Sequence, residues 1–166
     1  MLNKTGFRPI VKPGEVALDW QRGPMKEISW DASYEIGVEE IDRQHADFIR
    51  LLRRVGIALQ RPIPLAIQLQ LLQELVKYAD YHFCSEENVM LLTKCPDLIR
   101  QKSEHSQLLI LLDRKVNGYR IAPHHGEELL EFLYDWFVNH TQVEDRKIAV
   151  HLGNEQKPKA VGQDGV

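Results

Sequence analysis

The stretch LAIQLQLLQELVKYADYHFCSEENVMLL, residues 65–92, decides the fold. Within it Leu69, Leu72, Leu75, Val76, Ala79, Phe83 and Met90 recur at the spacing of one helical face. Arg61-Pro62-Ile63-Pro64 stands before it and Cys95-Pro96-Asp97 after it. Proline disfavours helix in the residue that precedes it, so both flanks read as breaks. The spacing predicts a helix from about Leu65 to Leu92. Working outward, Ile41, Phe48, Ile49, Leu52, Val55 and Leu59 predict a helix from Glu39 to Gln60. Leu98, Leu108, Leu109, Leu112 and Val116 predict another from about Asp97 to Val116, with Asn117-Gly118 as its stop and a loop from Tyr119 to Gly126. Leu130, Leu133, Trp136, Phe137 and Val143 predict a fourth from about Glu127 to Val150. Four amphipathic helices joined by short breaks form an all-α, up-down-up-down four-helix bundle.

The ends read differently. Pro9, Pro13, Gly14, Gly23, Pro24 and Gly37 make the first 38 residues an extended, irregular stretch, with Trp20, Trp30 and Tyr34 as anchors against the bundle. The tail after Leu152, GNEQKPKAVGQDGV, is polar and is expected to be disordered. The domain organisation is thus an N-terminal arm (1–29), a bundle (30–152) and a tail (153–166).

Bulk properties exclude several classes. The 166 residues suit a single domain, and a formal net charge of −3 with well-mixed acids and bases leaves no footprint for nucleic acid. No segment has the unbroken apolar run of a membrane helix. The N-terminus lacks an apolar signal core, so a cytoplasmic protein is expected. Cys84 and Cys95 would lie about 16 Å apart along a helix, beyond disulfide reach. With no CxxC, any metal must be held by histidine and carboxylate.

The informative residues are the polar ones on apolar faces. His45 follows Ile41 by four and precedes Phe48 by three. His82 and Glu86 continue the run Leu72, Leu75, Ala79 toward Met90, one turn apart on one face. Gln101 and His105 share a face with Leu98, Leu108 and Leu112. His140 shares one with Leu133 and Trp136, and Asp145 follows it by five. Singly, each has a plainer explanation: a bonded core histidine, a solvated Glu86–Glu87 face, or a helix C-terminal charge at His140. Together, an inward histidine on each of four helices is a costly cluster unless a metal satisfies it. Imidazole and carboxylate suit iron, manganese or zinc, and two carboxylates among four histidines point to two ions. Periodicity alone does not select Asp145. A five-residue step turns about 500°, leaving it roughly 140° from His140, and Glu144 is the simpler choice unless the helix widens locally or the side chain swings.

These residues resemble a known family. WDASYEIGVEEIDRQH (30–45), HFCSEENVM (82–90), the Cys95-Pro96 break, His105 and WFVNHTQVED (136–145) are similar in order and spacing to the single-domain bacterial hemerythrins. The resemblance covers Trp30 to Leu152. It implies two non-heme irons (Fe2+/Fe3+) with an oxo or hydroxo bridge, held by His45, His82, Glu86, His105, His140 and Asp145. Glu86 and Asp145 would bridge. His45 and His82 would serve the iron with an open position, and His105 and His140 the other. Phe48, Phe83, Leu109 and Trp136 are candidates for a dry lining.

The implied function is oxygen binding for storage, delivery or scavenging by a monomer that is not an enzyme. O2 is the ligand, with NO or peroxide as others. The alternatives are an O2, redox or NO sensor acting through a separate partner, and a diiron oxidase or peroxidase-like enzyme. One residue departs from the family pattern: Gln101 stands where a histidine is expected. It either ligates weakly through oxygen, holds a water, or costs the His105/His140 side its metal. His124, His125 and His151 are poorly placed to replace it.

Overall fold

The computed structural model describes residues 29–155, with side chains to 153. Four helical rods form an antiparallel bundle: α1 (Glu39–Gln60), α2 (Leu65–Leu92), α3 (Leu98–Ile121), and a last rod of α4 (Gly126–Asn139) and α5 (Asp145–Glu155) joined by a π-helical turn (His140–Glu144). α1 packs on α2 and α4, α2 on α3, and α3 on α4. No strand occurs among the described residues, and none of their helices is long and apolar enough to cross a membrane. Trp20 and most of the arm, like the chain after Glu155, lie outside the described residues.

The entry to α1 is built by a side chain. The Asp42 carboxylate accepts from the amides of Ile36 (2.7 Å) and Gly37 (3.2 Å), and Gly37 takes φ +81°, the left-handed turn glycine tolerates best. The bounds of α1 and α2 are those the proline breaks predict. After α2, Cys95 N–H donates to Met90 O (2.8 Å) and Lys94 N–H to Leu91 O (3.2 Å), with Lys94 at φ +54°. That is a Schellman stop, and it buries Cys95 beside Met90.

Three expectations need correction. α3 does not stop at Asn117-Gly118 but runs five residues past Val116, to Ile121. Tyr119, expected in a loop, is buried, and its hydroxyl donates to Gln68 Oε1 (2.8 Å), whose Nε2 donates to Ala58 O (2.9 Å). Burying the ring, worth about 1.5–3 kcal/mol, outweighs the roughly 1 kcal/mol that glycine costs a helix. Val143 lies in the π turn, half-exposed rather than on the buried face. The last rod continues beyond Leu152 to Glu155.

The core comes in two apolar layers. The larger holds Phe48, Leu52, Val55, Leu72, Leu75, Ala79, Phe83, Leu112, Leu133 and Phe137. The smaller holds Ile36, Ile41, Met90, Cys95 and Ile148. Along each rod the polar residues singled out above fall between these layers, so apolar side chains close the site at both ends.

Candidate metal centre

Each rod delivers its polar side chains to one level: His45 from α1, His82 and Glu86 from α2, Gln101 and His105 from α3, and His140 and Asp145 from either end of the π turn. All seven are buried. The π turn answers the five-residue step. Asp145 N–H bonds to His140 O, one residue further back than in an α-helix. That extra residue rotates Asp145 inward and leaves Glu144 partly exposed, where it pairs with Arg100 and Lys147. Thr141 Oγ1 donates to Phe137 O (2.8 Å), competing with the backbone at the point of widening.

The two carboxylates each turn one oxygen toward each histidine pair. Glu86 Oε1 lies 3.2 Å from His82 Nε2 and 3.9 Å from His45 Nε2, and Oε2 lies 3.4 Å from His105 Nε2 and 3.7 Å from His140 Nε2. Asp145 Oδ2 is 3.3 Å from His45 Nε2, and Oδ1 is 3.2 Å from His140 Nε2. Potential ligand atoms of His45, His82, Glu86 and Asp145 fall within 4.8 Å of one another, as do those of Glu86, His105 and His140.

Three imidazoles have their far nitrogen tied to an acceptor. His45 Nδ1 bonds Tyr34 O (2.7 Å), His82 Nδ1 bonds Gln44 Oε1 (3.0 Å), and His105 Nδ1 bonds Glu87 Oε1 (3.0 Å). The Gln44 amide is itself oriented, donating to Tyr81 Oη (3.2 Å) and Ser85 Oγ (3.1 Å). An acceptor at Nδ1 places the proton there and leaves Nε2 of the neutral ring as a bare lone pair aimed inward.

The interior is therefore a set of acceptors facing acceptors. Nε2 of His45, His105 and His140 and all four carboxylate oxygens of Glu86 and Asp145 are buried with no hydrogen-bond partner among the described residues. Protons relieve this in part. Burial, then the charge of Asp145, raises Glu86 to about 8. Burial opposes protonation of His140, but Asp145 and Glu86 raise it to about 9. Burial works against the Asp145 charge too, yet His140 and His45 hold it at about 2. Burial and the neighbouring imidazoles push His82 well below its ordinary value. Two cations would satisfy all of these inward-facing acceptors at once, so the donor set fits a metal pair.

Gln101 is fully buried one turn before His105. Its Nε2 lies 3.3 Å from the carbonyl oxygen of Glu144. A carbonyl only accepts, so this contact fixes which end of the amide is nitrogen. Oε1 is left buried without a partner among the described residues. His124 and His125 pack against each other, tilted by 45°, at the far end of the bundle, and His151 bonds Thr93 O (3.0 Å), so none replaces Gln101.

Aromatic rings surround the cluster. Phe83 stacks on His105 at 4.1 Å, Trp136 lies parallel to His140 at 6.3 Å, and Phe48 lies 6.3 Å from His82. Leu109 is partly buried against the same apolar layer. Sequence reasoning missed Phe137, which meets His45 edge-on at 6.1 Å, and the orienting groups Tyr34 O, Gln44 and Glu87. Gln44 had a signal, standing in the IDRQH run beside His45; the Tyr34 carbonyl had none.

Residues 36–152 match the family model for the hemerythrin HHE cation binding domain. The chain is 29% identical over 126 residues to a bacteriohemerythrin of Stenotrophomonas maltophilia (strain R551-3), covering 74% of this chain and 79% of that protein. It is 30% identical over 126 residues to a bacteriohemerythrin of Pseudomonas aeruginosa (strain LESB58), covering 73% and 78%. To a myohemerythrin of Theromyzon tessulatum it is 30% identical over 118 residues, covering 71% and 88%.

Proposed function

Because the chain belongs to the hemerythrin family, we propose that it is a non-heme diiron oxygen-binding protein that stores, delivers or scavenges O2. The observation that carries this reading is the ring of buried acceptors without donors, in which each carboxylate offers one oxygen to each histidine pair. His45 and His82 would hold one ion and His105 and His140 the other, with Glu86 and Asp145 facing both. Two irons so held would supply the electrons that reversible O2 binding draws on.

The remaining work falls to the chain. Tyr34 O, Gln44 and Glu87 keep His45, His82 and His105 in the tautomer that presents Nε2. Phe48, Phe83, Trp136 and Phe137 exclude water around the histidines, as a protected redox site requires. Loading the ions displaces the protons that Glu86 and His140 otherwise hold, so affinity rises with pH. All six candidate ligand residues come from one chain, so a monomer suffices to build the site, and the free thiols of Cys84 and Cys95 suit a reducing, cytoplasmic compartment.

The test is iron per chain on protein purified without oxygen or chelator, followed by optical titration with O2. About two irons, with a spectrum that reverses on removing O2, is the expected result. One iron or none sinks the carrier reading. Gln101 favours a second reading, an oxidase or peroxidase-like enzyme, since a weaker donor leaves one ion more accessible. Sustained consumption of O2 or peroxide with an added reductant would select it.

A further inference from the structure

Gln101 combines three features that a space-filling residue does not need. It has no exposed surface, its amide nitrogen is fastened, and its amide oxygen is buried and unpartnered. The fastening point is itself held. Glu144 O belongs to the residue just before Asp145, and the Glu144 carboxylate is gripped by Arg100 Nη1 (2.9 Å) and Lys147 Nζ (2.6 Å). Arg100 also pairs with Glu104 (2.6 Å), and Gln101 is its chain neighbour on α3. One end of the amide is thus pinned to the π turn that aims Asp145. Gln101 itself stands one turn before His105 on α3, and His105 Nε2 faces Glu86 Oε2 at 3.4 Å. Leaving a carbonyl oxygen buried and unpaired costs free energy that an apolar side chain at this position would avoid. The oxygen therefore has something to bind, and its neighbours on α3 and the π turn are the donors to the His105/His140 ion.

We propose that Gln101 Oε1 is the third side-chain donor to the ion held by His105 and His140, and that this ion, whose histidines are the less firmly oriented pair, is still the more weakly held of the two. The proposal rests on the metal-pair reading above and adds to it a neutral oxygen donor. A carboxamide ligates borderline divalent cations less strongly than imidazole does. A carboxylate at 101 would add a third negative charge beside Glu86 and Asp145, which raises cation affinity.

The experiment is anaerobic titration of the full chain with Fe2+ against a chromophoric chelator, on parent and variants. Circular dichroism and metal-free melting verify that each variant folds. The parent binds two Fe2+ with unequal affinities. Losing an outer-shell partner costs roughly 10–100-fold in metal affinity, so Gln101→Leu weakens the second Fe2+ by at least about tenfold and leaves the first in place. Gln101→His brings the second affinity up toward the first.

Gln101→Glu separates ligation from mere support. Its ionised carboxylate cannot donate to Glu144 O but keeps an oxygen donor, so it tightens the second Fe2+. If Gln101 only braces the π turn, Gln101→Glu weakens that ion instead, and the proposal is overturned. It is also overturned if Gln101→Leu binds two Fe2+ with the parent's affinities, which leaves the metal-pair reading intact. Should Gln101→Leu not fold, the Glu and His variants decide alone. A parent that binds no Fe2+ removes the metal-pair reading itself, and this proposal with it.

Discussion

The two halves of the buried cluster are supported unequally. On the His45/His82 side both rings hang from interior acceptors. Tyr34 O is a backbone atom, and Gln44 is oriented by Tyr81 and Ser85. On the other side His105 leans on Glu87, a partly exposed carboxylate that also meets Lys102 at 3.5 Å. His140 Nδ1 has no partner among the described residues, and a glutamine stands one turn from His105. Each half offers two candidate histidine ligands, and the clearest difference lies in what stands behind them. A donor is only as well placed as the group that orients it, so one half is preorganised and the other depends more on the ion it receives.

The largest expected effect removes what the halves share. Glu86 gives Oε1 to one and Oε2 to the other, so Glu86→Ala empties both. Iron per chain falls from about two to none, while the metal-free protein melts no lower than the parent, because a buried, unpaired acid has been removed from a helix that accepts alanine readily. Two irons in that variant would end the assignment of Glu86.

A smaller effect separates the halves. Gln44→Leu frees the His82 ring and is expected to weaken the His45/His82 ion by about 10–100-fold. Glu87→Ala should cost the other ion less, under about tenfold, since water can reach the vacated place and bond His105 Nδ1. Chelator competition on the two variants gives the order. The reverse order would mean that Glu87's charge, rather than the packing behind the ring, dominates.

How much of this was legible in the sequence depends on the range of the interaction. α1 and α2 end where local chemistry ends them, at Pro62-Ile63-Pro64 and at Cys95-Pro96, so spacing and breakers sufficed. α3 overran Asn117-Gly118 because Tyr119 reaches Gln68, 51 residues away, and no local rule sees that contact. In the site, histidines on apolar faces are a periodicity signal and could be read directly. Asp145 over Glu144 could not, since a regular helix favours the wrong residue; the π turn that reverses the choice is a backbone event. Gln101 was visible as a departure from pattern. What it does became arguable only once its nitrogen was seen fastened to Glu144 and its oxygen left bare.

The smallest effect concerns protons. In the metal-free protein His140 is raised to about 9 and Glu86 to about 8, while burial pushes His82, and His105 beside His140, down. A group raised on folding stabilises the protonated native state. The Glu86 contribution is complete below its ordinary 4.5 and is lost as pH climbs through about 8. The His140 contribution is complete below 6.5 and is lost on the way through about 9. His82, lowered, has the opposite sign: its contribution is present above 6.5 and is lost as pH falls below that. Asp145, held at about 2, matters only below its ordinary 3.8. From pH 6.5 to 9 the two raised groups therefore act alone, and the metal-free protein should melt lower at pH 8.5 than at 6.5. A fall of at least about 2 °C is expected, what roughly 1 kcal/mol moves in a chain of this size. Metal-loaded protein should run the other way, because its ligands bind deprotonated and hold the ion harder as pH rises. Glu86→Gln, neutral at every pH, should flatten the metal-free slope by removing one of its two sources. A metal-free melting point that stays level or climbs over this range would mean that Glu86 and His140 are not held protonated in the metal-free site, and that protons do not stand in for the ions there.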